Sequence, residues 1–144
     1  MKVSELMMKD ITSVEQDDSI QTLVETLETS EVCSIPVTDR ENRLVGIISE
    51  HDILSAAVPK YMQLLHTVSF VPGLDQLTSG LRRIANDSVG MHMCTSVVSV
   101  VADADDLQAA DLILRNRLGL LPVIDGHGRL VGVVRRIDLF SHVL

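Results

Sequence analysis

Residues 35–54 read IPVTDRENRLVGIISEHDIL, and residues 121–140 read LPVIDGHGRLVGVVRRIDLF. Displaced by a constant 86 positions, these two stretches share Pro36/Pro122, Val37/Val123, Asp39/Asp125, Arg43/Arg129, Leu44/Leu130, Val45/Val131, Gly46/Gly132 and Asp52/Asp138. Most of the remaining pairs exchange one aliphatic residue for another. The same displacement matches Val3/Val89, Met7/Met93, Ser13/Ser99 and Val14/Val100 upstream. Between these blocks one residue of slippage aligns Asp18-Ser19-Ile20-Gln21 with Asp105-Asp106-Leu107-Gln108. The chain is a duplication, and an internal repeat governs the fold before any single element does.

Each copy has the same order of elements. A short apolar strand (Ile11 to Val14; Val97 to Val101) precedes acidic residues suited to a helix N-terminus. Apolar positions at helical spacing follow: Ile20, Leu23, Val24 and Leu27, or Leu107, Ala110 and Leu114. Next come a proline-containing apolar segment, a polar turn (Asp39 to Asn42; Asp125 to Gly128) and a continuous apolar strand (Leu44 to Ile48; Leu130 to Val134). A second helix opens near Asp52 or Asp138. The expected fold is therefore α/β (α+β), two pseudo-twofold-related β-α-β-β-α units packed through their sheets. Residues 1–58 form the first unit, 59–88 a connecting segment and 89–144 the second. A unit of this size buries too little surface to be comfortable alone, so the two must share an interface. In the connection Pro59 should break any extension of the preceding helix, Pro72-Gly73 marks a turn, and Leu74, Leu77, Leu81, Ile84 and Ala85 predict an extra helix.

The 144 residues hold 12 basic and 20 acidic side chains, a formal charge of −8. That balance speaks against nucleic acid or an anionic membrane as partner, because both need a basic footprint. No apolar run approaches the length that spans a bilayer, and Met1-Lys2-Val3-Ser4-Glu5 opens no signal region. Cys33 and Cys94 are too few for a disulfide scaffold and read as small core residues in a reducing, cytoplasmic setting. Met7, Met8, Met91 and Met93 read as gap fillers at the interface between units. The five histidines and two cysteines show no zinc spacing, so no metal is expected.

The duplicated hydrophobic-Pro-Val-x-Asp, polar turn, Arg-Leu-Val-Gly-hydrophobic-hydrophobic and following Asp resemble the CBS domain (cystathionine β-synthase motif). Two such motifs in one chain resemble a tandem CBS pair, or Bateman module. The resemblance implies a regulatory, non-catalytic module with no required cofactor, which binds an adenosine-containing ligand (AMP, ADP or ATP; alternatively S-adenosylmethionine or NAD) between its halves. It also implies a homodimer formed through the helices, read out by an unknown effector protein. The family's ribose signature, Gly-hydrophobic-hydrophobic-Ser/Thr-x-x-Asp, is complete as Gly46 to Asp52, with Ser49 and Asp52 in the polar positions. The second copy keeps Asp138, which by the same resemblance is a ribose-binding candidate, but has Arg135 where the hydroxyl belongs. Carried over likewise, Ser34, Ile35 and Pro36 would read the adenine edge and Thr12 and Ser13 would close the slot. His51, Arg135 and Arg136 would face phosphate.

The residues carry a physical rationale of their own. A carboxylate can accept charge-assisted hydrogen bonds from both ribose hydroxyls, and Ser49 lies one helical turn away on the same face. The same spacing also makes a helix capping box, in which serine and acid satisfy each other's backbone N–H groups. Both readings of Ser49-x-x-Asp52 stand at this point. A ligand-free structural dimer is the alternative function, favoured by the missing hydroxyl at position 135 and the −8 charge.

Overall fold

The computed structural model describes residues 1–58 and 76–144. Pro59, Pro72, Gly73 and Leu74 lie outside them. The order is α1 (Val3–Leu6), β1 (Val14–Glu15), α2 (Ile20–Thr29), β2 (Ser34–Thr38), β3 (Leu44–Ser49), α3 (Glu50–Ala57), α4 (Gln76–Ile84), a 3-10 turn (Val89–Met91), β4 (Val100–Val101), α5 (Asp106–Asn116), β5 (Leu120–Ile124), β6 (Leu130–Arg135) and α6 (Arg136–Ser141). Two three-stranded sheets result, β1-β2-β3 and β4-β5-β6. In each, the first strand runs parallel to the second and the third antiparallel to it. The β-α-β-β-α order is as the repeat predicts, and the extra helix is α4.

The backbone bonds that set the halves together recur in pairs displaced by 86 positions. Leu44 N–H donates to the Gly128 carbonyl and Leu130 N–H to that of Asn42. Ile47 exchanges both backbone bonds with Cys94, and Val133 does the same with Met8. Val3 N–H donates to Ala104 C=O, and Val89 N–H to Asp18 C=O. The slippage that the helix sequences suggest is therefore absent from the backbone. Asp105 stands at the N-cap position of α5 as Ser19 does in α2, although only the Ser19 side chain makes a capping bond; Ala109 is buried where Leu23 is, and Ala104 takes the place of Asp18.

These bonds reveal an exchange. Val3 and Leu6 lie in one core with Ala109, Leu121, Val123 and Val134, all from the second copy. Val89 and Ile84 complete the core of Leu23, Ile35, Val37 and Ile48 from the first. Each lead-in thus finishes the opposite half, and the chain then crosses back through residues 9–13 or 95–99. That crossing shortens the first strands. Only Val14 and Glu15, or Val100 and Val101, find partners, because the residues before them are bridging the halves.

Gly46 and Gly132 permit the exchange. A Cβ on Gly46 would lie 2.7 Å from Met93 Sδ and 2.8 Å from the Cys94 carbonyl, and one on Gly132 would strike Met7 Sδ and crowd Met8 C=O at 3.1 Å. Met7 and Met93 therefore fill the interface as expected, whereas Met91 is exposed. Cys33 and Cys94 are exposed rather than core residues. At the far end the turns mirror each other, with Asn42 at φ 64° and Gly128 at φ 78°, a left-handed bend that asparagine and glycine tolerate best.

Gly132→Val is expected to destabilise the protein by at least ~1–3 kcal/mol, the usual cost of overpacking, because the Met8 backbone cannot retreat without losing its pair. Gly126→Ala, where an added Cβ meets nothing within 4 Å, should unfold at the wild-type midpoint in the same urea titration.

Candidate functional site

The ladder between β2 and β3 pairs Ser34 with Ser49, Ile35 with Ile48 and Pro36 with Ile47. Both backbone groups of Ile47 are engaged by Cys94 on its other side, so Pro36/Ile47 is a non-hydrogen-bonded pair. Pairs alternate in an antiparallel ladder, and Ser34/Ser49 is therefore another. Pro36 thus continues β2 without loss, since the N–H it lacks would have pointed away from β3. On that side β1 reaches only Val37 and Thr38. The backbone N–H and C=O of Ser34 consequently face an open edge. Pro122/Val133 and Leu120/Arg135 repeat the arrangement in the second half.

The two open edges border one cleft of about 340 Å³, lined by Glu31, Val32, Cys33 and Ser34 from the first half and Gly119, Leu120, Arg135, Arg136 and Ile137 from the second. That volume lies at the lower end of small-molecule sites, about 300–1,000 Å³. The structure brings Ser34, Arg135 and Arg136 together here. Through the register it also sets Ser34 beside Ser49 and, one turn along α3, Asp52. Ile35 and Pro36 are buried beneath that edge. Thr12 is half-buried and Ser13 exposed in the crossing segment, and His51 is exposed on α3. Among the described residues no hydrogen bond ties these three to the cleft.

At the start of α3, outside the residues that line the cleft, Ser49 and Asp52 form a complete capping box. The Ser49 N–H donates to Asp52 Oδ2 at 2.8 Å, the Ser49 hydroxyl to the same oxygen at 3.0 Å, and Asp52 N–H to Ser49 Oγ at 3.3 Å. Oδ1 of Asp52 accepts nothing among the described residues, and the side chain is half-buried. The second half differs. Arg135 clamps Asp138 with Nε at 3.1 Å and a terminal nitrogen at 2.8 Å, while its own N–H adds a third bond at 2.8 Å. Both carboxylate oxygens are used, and Asp138 is 7% exposed. Burial pushes the Asp138 carboxyl up, but the Arg135 hydrogen bonds and charge outweigh it and hold the group below the usual carboxylate range. Arg136 donates from Nε to Leu118 C=O at 3.1 Å and is otherwise exposed. The clamp escapes a reading by residue type, although arginine three positions before an aspartate at a helix start is its signal.

The CBS domain family pattern matches residues 3–59 and 88–144. The chain is a tandem CBS-domain protein. Among curated relatives, this CBS pair is 30% identical over 137 residues to the CBS domain-containing protein CBSX2, chloroplastic, of Arabidopsis thaliana, covering 90% of this chain and 54% of that protein. It is 26% identical over 140 residues to an inosine-5'-monophosphate dehydrogenase of Methanocaldococcus jannaschii, covering 97% of this chain but only 23% of that protein. Among solved structures, CBSX2 in complex with AMP superposes with a TM-score of 0.73 at 26% identity, covering 98% of this chain and 94% of that one. No helix among the described residues is long and apolar enough to cross a membrane.

Arg135→Met should leave the Asp138 carboxylate buried and without a counter-ion. A loss of about 1–2 kcal/mol is expected at neutral pH, small for a buried pair because Arg135 is 43% exposed and screened by water. In the wild type the depressed pKa contributes stability above the ordinary carboxylate pKa of 3.8, and that contribution is lost as pH falls through the folded value. The gap between variant and wild type should therefore narrow on acidification, which denaturant midpoints across pH would show. A gap independent of pH would contradict the ion pair's role.

Proposed function

We propose that the CBS pair is a regulatory, non-catalytic module that binds one adenosine nucleotide per chain, with the first half holding the ribose. The observation that carries this reading is the contrast between the two aspartates. Asp52 has an oxygen without a partner among the described residues and is half-buried, whereas Asp138 is buried with both oxygens held by Arg135. The solved structure of CBSX2 with AMP supports the ligand class.

In this arrangement the purine lies against the apolar end of β2. Its hydrogen-bonding edge meets the Ser34 backbone, which offers one donor and one acceptor toward the open side, and Ile35 and Pro36 floor the slot. Asp52 accepts from the ribose hydroxyls, with Ser49 fixing its rotamer. Thr12 and Ser13, in the segment that crosses between the halves, close over the nucleoside. The exposed Arg136 guanidinium, with His51 beside Asp52, faces the phosphate. Arg135 is committed to Asp138, so the second half supplies cleft wall rather than a second ribose contact. One available arginine favours AMP over ATP. Ligand bound between the halves biases their relative arrangement, and a dimer formed through the helices transmits that bias to an effector protein.

Calorimetry with AMP, ADP, ATP, S-adenosylmethionine and NAD tests the assignment. One saturable site per chain is expected, abolished by Asp52→Ala and retained by Asp138→Asn. Loss of binding in the Asp138 variant with the Asp52 variant unaffected would move the ribose to the second half. No heat with any ligand would favour the ligand-free structural dimer.

A further inference from the structure

The first-half wall of the cleft begins at Glu31, in the short turn that joins α2 to β2. Ser30 closes α2, its N–H and its hydroxyl both donating to the Thr26 carbonyl, and Val32 N–H then donates to the Ser30 carbonyl. The backbone on either side of Glu31 is thus held, and its side chain stands exposed at the rim. Displaced by 86 positions, Glu31 becomes Arg117. That arginine ends α5 in the left-handed conformation, at φ 53°, and lines the groove between α5 and α6 instead of the cleft. Among the described residues, the second half therefore brings no counterpart of Glu31 to the cleft.

Three charged side chains line the cleft among the described residues: Glu31, Arg135 and Arg136. Arg135 is committed to Asp138. Arg136 donates from Nε to Leu118 C=O and is otherwise exposed. Glu31 makes no ion pair among the described residues. What remains is one cation and one anion facing the same small space. A monophosphate can turn its charge to Arg136 and away from Glu31. A longer phosphate chain adds negative charge that no second uncommitted arginine among the lining residues can meet, and it must share the space with a carboxylate.

We infer that Glu31 determines specificity in the cleft: its carboxylate repels a β- or γ-phosphate and restricts the ligand to a nucleoside monophosphate. This rests on the nucleotide reading above and adds the group that enforces the choice. Repulsion between like charges strengthens where a narrow cleft displaces water. An unfavourable contact with the wrong ligand discriminates as well as a favourable contact with the right one. Arg136 alone would attract a long phosphate chain as readily as a short one. The acid at the rim supplies the opposing sign.

The test is calorimetry of the full chain with AMP, ADP and ATP, first in EDTA and then with magnesium, comparing the wild type with Glu31→Gln and Glu31→Lys. In EDTA, Glu31→Gln should tighten ATP by about fivefold, the size of one exposed charge interaction, ADP by less, and AMP by under about twofold. Glu31→Lys should go further in the same order. High salt should shrink the gap between Glu31→Gln and the wild type, because it screens the repulsion. Glu28→Gln removes the same charge from an exposed position of α2 outside the cleft lining and should leave the ratio of ATP to AMP affinity at its wild-type value. AMP binding with a ratio that neither Glu31 substitution changes would overturn the inference and leave the nucleotide reading in place. An equal shift from Glu28→Gln would also overturn it, by making the effect one of net charge. Wild-type ATP binding that appears only with magnesium would do the same, since the carboxylate would then hold a bridging cation. No heat with AMP in the wild type would overturn the nucleotide reading and the inference together.

Discussion

The whole arrangement depends on two backbone crossings that tolerate no side chain. At Gly46 and Gly132 the lead-in of one copy lies directly on the third strand of the other, close enough for Met93 and Met7 to occupy the space of a missing Cβ. The crossings fix Cys94 against Ile47 and Met8 against Val133, and through them the relative position of the two sheets. They also lodge Val3 and Val89, both fully buried, in cores that belong to the opposite copy. Neither half is then an independent body. Its core is complete only in the presence of its twin, which is how units near the lower limit of self-sufficient size become a stable chain.

That geometry makes the cleft. Because the crossing segments occupy residues 9–13 and 95–99, the first strands begin late and leave the ends of β2 and β5 uncovered. The open edges at Ser34 and Leu120 are a direct consequence. Proline at 36 and 122 fits the same logic, since its missing N–H would have faced that unpaired side. The duplication produces two such edges, and a single substitution separates their fates. With serine at 49, the following aspartate is a cap with one oxygen unpartnered among the described residues. With arginine at 135, the equivalent aspartate is buried and clamped.

Much of this was legible in the residues. The displacement of 86 positions predicted both units, their element order and the pseudo-twofold, because a repeat of that fidelity leaves little freedom in backbone path. The extra helix followed from the spacing of Leu77, Leu81 and Ile84, which α4 realises within Gln76–Ile84. The misjudged parts are those set by contacts between halves. A strand over Ile11 to Val14 is a sound local reading of apolar residues, but most of that segment is committed to the crossing. The slip between the helix sequences optimised identity, whereas the backbone kept register by placing Ala104 where Asp18 stands. Cys33 and Cys94 resemble core residues by type, yet both lie where strands end at the cleft or the crossing. The Arg135–Asp138 pair is the clearest case: position 135 read as a lost hydroxyl and a phosphate contact, and the structure pairs its guanidinium with Asp138.

The central claim is that one half of a duplicated cleft takes the nucleotide. Backbone amide chemical shifts of isotopically labelled protein during an AMP titration test it most directly, because the two halves are reported separately in one experiment. The account predicts saturable shifts concentrated at residues 33–36 and 49–52, with smaller changes at Arg136 across the cleft. Shifts concentrated at 119–122 and 135–138, or equal in both halves, would contradict it.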